Sequence, residues 1–161
     1  MIIRAGQHDH AGVCCMRLRR NLRRRRAAVQ LRQAAAQHHV ATHAYALCAS
    51  HVLLLVTPSI ATGLARVVQD LGRRWVATRN RRAGHAGSPW NGRYGAAILE
   101  PGGDVLDTLV FVDLCGSREP GDVAHSSAPH HLGQARVSWL TPPREYWALG
   151  NTPFDRELRY A

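Results

Sequence analysis

His51 opens a strand-like run, Ser50-His51-Val52-Leu53-Leu54-Leu55-Val56-Thr57-Pro58. Residues i and i+2 of a strand point to one face, so two histidines at that spacing can hold one metal ion between their ring nitrogens. Position 53 is leucine, which has no lone pair to offer. His51 therefore reads as half of a two-histidine metal site. A lone strand histidine is more often a half-buried packing residue than a ligand, so its meaning depends on the surrounding elements. His8-Asp9-His10 repeats the spacing, but its flanks do not resemble a strand core, and chance explains it in a chain with ten histidines. The four cysteines, Cys14, Cys15, Cys48 and Cys115, form no Cys-x-x-Cys pair. They read as reduced thiols and not as a zinc site.

The elements that must position His51 are legible around it. Thr42–Leu47 and His51–Val56 are apolar runs separated by Cys48-Ala49-Ser50, the length of a hairpin connection, and read as adjacent antiparallel strands. Ala27–His38 has helical spacing at Ala27, Leu31, Ala34 and Ala35. Over Ser59–Arg82, Leu64, Val67, Val68, Leu71, Trp75 and Thr78 share one helical face, and Arg66, Arg73, Arg74 and Arg81 gather on the other. That stripe is either a nucleic-acid surface or a solvated helix face. Gly84–Gly95 is a glycine-rich turn region carrying Trp90-Asn91-Gly92-Arg93-Tyr94, and Ala96–Leu99 is a short strand candidate. Asp104–Leu114 fits a helix with acids in its first turn, and Cys115–Gly121 breaks any regular element. Thr152 as N-cap with Pro153 at the first helical position starts a short final helix.

Length and composition bound the whole. At 161 residues and 45% hydrophobic, the chain suits one domain with a proper core. No apolar run is long enough for a membrane span and no secretory leader is evident, so a cytoplasmic location without membrane is the expectation. All 21 basic residues are arginine, and the net charge is +10. Residues 1–99 hold 16 arginines against two acids, whereas residues 100–161 hold five against nine. A strongly basic half points to a polyanion, because arginine pairs bidentately with phosphate and stacks on bases. GC-rich coding also favours arginine over lysine, whatever the function. Met16–Arg26 packs seven arginines into eleven positions and admits no core face, so residues 1–26 read as a poorly structured basic arm. Residues 27–123 then form the α+β domain, and residues 124–161 a C-terminal extension packing on it.

Thr42-His43-Ala44-Tyr45-Ala46-Leu47, His51-Val52-Leu53-Leu54-Leu55, Leu71-Gly72-Arg73-Arg74-Trp75, Asn80-Arg81-Arg82 and Trp90-Asn91-Gly92-Arg93-Tyr94 together resemble the REP-associated tyrosine transposases of the HUH superfamily. The resemblance runs from about Gln33 to Leu114 and resumes from Ala124, with Tyr146–Phe154 similar to the C-terminal signature of one subgroup. It implies an antiparallel β-sheet flanked by helices with a helical C-terminal tail, a homodimer, and cleavage of single-stranded DNA folded into hairpins. In such enzymes two strand histidines hold Mg²⁺ or Mn²⁺ on the scissile phosphate. A helix tyrosine attacks phosphorus to give a 5′-phosphotyrosine and a free 3′-OH, and a polar side chain one turn later completes the metal shell.

Carried onto this chain, the histidines fall on His51 and Leu53, the nucleophile on Phe111, and the later polar ligand on Cys115. Leucine cannot ligate, phenylalanine has no oxygen to attack with, and a thiol suits a hard cation poorly. The expectation is a DNA-binding protein of transposase type with impaired catalysis and weak or absent Mg or Mn binding. DNA would be held by Arg66, Arg73, Arg74, Arg81 and Arg93, with Trp90 stacking on bases. The alternative is a non-functional relic that binds polyanions non-specifically.

Overall fold

The computed structural model describes residues 10–18, 24–83, 90–117 and 125–161. Strands β1 (Gly12–Arg17), β2 (Val40–Leu47), β3 (His51–Pro58) and β4 (Gly95–Ile98) form one antiparallel sheet in the order β2-β3-β1-β4. Helices α1 (Arg24–Gln37) and α2 (Gly63–Ala83) cover one face, and α3 (Gly103–Ser117) covers the other. Three short helices follow, α4 (Ala128–His131), α5 (Arg144–Trp147) and α6 (Pro153–Tyr160). The architecture is α+β, as the sequence implies.

Both faces of the sheet are apolar, which is why β3 reads as continuous Val and Leu. Val52, Leu54 and Val56 join Cys14 and Met16 of β1 against Leu31 of α1 and Val67 and Leu71 of α2. Leu53 and Leu55 join Ala44 and Ala46 of β2 against Val105, Leu109 and Val112 of α3. Within α2, Leu64, Val67, Val68, Leu71 and Trp75 are buried as expected, and the side chain of Thr78 lies outside the described residues.

Two expectations are corrected. Gly12–Arg17 is not part of an unstructured arm; it is an inner strand, hydrogen-bonded to β3 on one side and β4 on the other. Its alternation, with Gly12, Cys14 and Met16 buried and Val13 and Cys15 less so, is a genuine period of two set beside an arginine block that obscures it. The remainder of that supposed arm, residues 1–9 and 19–23, lies outside the described residues, while α1 already begins at Arg24. At the other boundary, α3 does not stop at Leu114 but continues through Cys115 to Ser117. Buried Leu109 and Val112 anchor this last stretch, and the Cys48 thiol approaches the Cys115 carbonyl at 3.7 Å. The later part of the expected break, residues 118–124, lies outside the described residues.

The C-terminal extension is tied to the domain by backbone hydrogen bonds. Leu47 N–H donates to His125 O and Ser127 N–H to Tyr45 O, so residues 125–127 run along the free edge of β2. Thr152 caps α6 as expected, in a capping box with Asp155, and Pro153 occupies the first turn.

The register of β2 on β3 shifts between Thr42 and Ala44, and His43 sits in that irregularity. Its Nδ1 donates to Thr141 O at 2.6 Å, which leaves Nε2 to accept from the Thr57 hydroxyl at 2.8 Å. Burial pushes the His43 pKa down, against the opposing pull of the Thr141 carbonyl and Glu145. Burial lowers His130 as well. The unfolded chain, with histidines near 6.5, thus binds more protons than the fold as pH falls below that value. Stability should be full above about pH 6.5 and decline toward pH 5. Urea midpoints measured from pH 8 to pH 5 check this, and a midpoint that stays level would contradict it.

Candidate functional site

The β1–β3 register places Arg17 opposite His51 and Cys15 opposite Leu53. Residues 51 and 53 share the face of β3 that looks toward α3, as strand geometry requires. Helix α3 brings Phe111 and, one turn later, Cys115 to the same place. His51, Leu53, Phe111 and Cys115 all line one cleft of about 440 Å³, together with Cys15, Arg17, Ser50 and Asn91. Four positions chosen from sequence therefore converge in space.

Their surroundings differ. Leu53 is only 5% exposed and belongs to the α3-side core, whereas Phe111 is 55% exposed at the cleft. His51 is half-buried, with its Nδ1 3.1 Å from Ser50 Oγ. Asn91 is held by its backbone N–H, which donates to Arg17 O at 2.9 Å. The Cys15 thiol is pushed up by burial, with Arg17 opposing, so it stays protonated at neutral pH.

This donor set does not fit a hard divalent ion. His51 offers one imidazole, Leu53 none, and Cys115 a soft sulfur where an oxygen is wanted. Among the described residues no group of three His, Cys, Asp or Glu side chains is placed to hold a metal. The phenyl ring of Phe111 supplies no nucleophilic oxygen. The cleft can present an aromatic face, a guanidinium and an amide, and none of the described residues that line it is an acid.

The residues expected to bind DNA are distributed unevenly. Arg93 is exposed two positions after Asn91, which lines the cleft. Arg66 and Arg73 are exposed on α2, in the layer on the other side of the sheet. Arg74 is engaged within the fold: it donates to Asp70 at 2.9 Å, Gln33 at 3.0 Å and Gln37 at 3.1 Å, clipping α2 to α1. Its place four residues after Asp70 makes that pairing natural. Trp90 is half-buried, with its ring 4.9 Å from that of Trp75. A Cβ on Gly72 would lie 2.7 Å from Trp90 Nε1, so glycine at 72 admits the indole. The side chain of Arg81 lies outside the described residues.

Sequence reasoning missed Arg17, Cys15 and Asn91, the first two because their strand was read as an arm. It also missed a buried polar cluster behind the cleft. Asp113, two residues after Phe111 and pointing inward, accepts from Ser127 Oγ, from His131 Nδ1 at 2.7 Å and from Tyr160 OH at 2.7 Å. The Tyr146 hydroxyl donates to His131 O at 2.9 Å. Burial, then the adjacent Asp113 carboxylate, raise the Tyr160 pKa far above the usual phenol range. The cluster fastens α3 to the C-terminal helices.

The fold is similar to that of a REP-associated tyrosine transposase. That protein was solved bound to a REP hairpin; the likeness has a TM-score of 0.54 at 10% identity and covers 84% of this chain and 93% of the other. At this identity the likeness concerns the fold. No family model matches the sequence, and no curated protein does. No helix among the described residues is long and apolar enough to cross a membrane.

Proposed function

We propose that this chain is a DNA-binding protein of the transposase type that holds single-stranded or hairpin DNA without cutting it. The observation that carries the reading is the single cleft where His51, Leu53, Phe111 and Cys115 meet. These are the positions at which the resemblance expects a metal pair, a nucleophile and a further ligand. The chemistry they offer suits binding and not hydrolysis or strand transfer. The net charge of +10, the exposed Arg17 in the cleft, the exposed Arg93, and the hairpin carried by the similar structure support DNA as the ligand. A homodimer remains part of the proposal only by that resemblance.

A competition series tests it. Affinity for a hairpin with a single-stranded flank should exceed that for a random single strand of equal length at about 0.15 M salt, because counterion-driven attraction alone fades as salt rises. Equal affinities that fall together would favour the relic that binds any polyanion.

A further inference from the structure

We infer that the cleft is a receptor for one unpaired nucleotide, with the base stacked on Phe111 and its phosphate on Arg17; this rests on the DNA-binding reading above. Phe111 presents more than half of its surface at the cleft although it is a large apolar side chain on a helix whose inward face is well packed. Such a ring, lining the same cleft as the Arg17 guanidinium, has the features of a stacking platform for a base. Arg17 is exposed and comes from the strand position opposite His51, so a phosphate reaching its guanidinium also lies close to the imidazole. Asn91, fixed through its backbone to Arg17, adds an amide that can meet a base edge from the cleft wall.

Size and shape select the ligand class. A volume of about 440 Å³ suits a nucleotide-sized group and not a duplex. A paired base has both faces covered by its neighbours, whereas an unpaired one can offer a face to Phe111. The buried Leu53 adds apolar lining to the same cleft.

The test places an abasic residue, in turn, at each unpaired position flanking a DNA hairpin and measures affinity by fluorescence anisotropy. At one position the abasic site should weaken binding about tenfold, the usual scale for one stacked base. Phe111→Ala and Phe111→Leu should weaken the intact DNA by a similar factor and become indifferent to the abasic site, whereas Phe111→Tyr should retain the sensitivity. Arg17→Ala should lower the slope of log affinity against log salt by about one. Circular dichroism of each variant reports on folding, which the exposed Phe111 is expected to leave intact. If no flank position is sensitive, or Phe111→Ala remains fully sensitive, the nucleotide receptor is wrong while the hairpin preference stands. If the unaltered protein shows no hairpin preference, the DNA-binding reading fails and takes this inference with it.

Discussion

Asp113→Ala is expected to lower the unfolding free energy by about 3–5 kcal/mol, the scale for removing one member of a buried, charge-assisted network. Its carboxylate accepts from Ser127, His131 and Tyr160 in a place closed to water, and alanine would leave those donors without their acceptor. His131 is fully buried and its Nε2 already has no partner among the described residues, so little slack exists to absorb a second loss. Asparagine should also be poorly tolerated, because it keeps one acceptor oxygen and turns an NH₂ donor toward the remaining donors. Ser127→Ala removes a hydroxyl that donates to Asp113 and accepts from the Tyr45 N–H at 2.9 Å, so it should cost less than Asp113→Ala but more than one hydrogen bond, about 2 kcal/mol. Urea unfolding monitored by circular dichroism measures all three, and thermal unfolding should show a melting-point loss of roughly 10 °C for Asp113→Ala. A loss below about 1 kcal/mol for Asp113→Ala would mean that this network does not hold the C-terminal helices to α3.

The second large effect is a gain. The triple variant Leu53→His, Phe111→Tyr and Cys115→Asn should form a covalent protein–DNA adduct with hairpin DNA and Mn²⁺, where the unaltered chain forms none. Geometry favours it: positions 51 and 53 share one strand face, 111 and 115 are one helical turn apart, and all four line the same cleft. Histidine at 53 replaces an apolar side chain only 5% exposed, so the triple variant should be less stable by about 1–3 kcal/mol. Adduct formation is read on a denaturing gel with labelled DNA. A folded triple variant that binds the hairpin but yields no adduct would argue that the cleft never had the geometry for cleavage.

The elements with a strong local signal were legible in the residues. The β2–β3 hairpin followed from two apolar runs and a three-residue gap, α2 from its buried stripe, and the start of α6 from Thr152-Pro153. Helix α3 was legible as a helix but not in length, because Gly116 reads as a breaker until packing outweighs it. Strand β1 was hidden, since six alternating residues carry little weight beside seven arginines. The cleft positions came from a resemblance, and only the fold could show that they meet. Arg17 joined them by strand register, which no local pattern encodes. The Asp113 cluster was out of reach for the same reason: its partners lie 14, 18 and 47 residues away along the chain. Arg74 looked like its neighbour Arg73 until α1 was packed beside it.

The most direct test of the proposal that this chain grips DNA without cutting it uses the unaltered chain, a labelled hairpin with a single-stranded flank, Mn²⁺ and about 0.15 M salt, with the same reaction run on native and denaturing gels. A retarded complex on the native gel with free, full-length DNA on the denaturing gel is the predicted result. A covalent adduct or shortened DNA would contradict the loss of cleavage, and the absence of any retarded complex would contradict the binding.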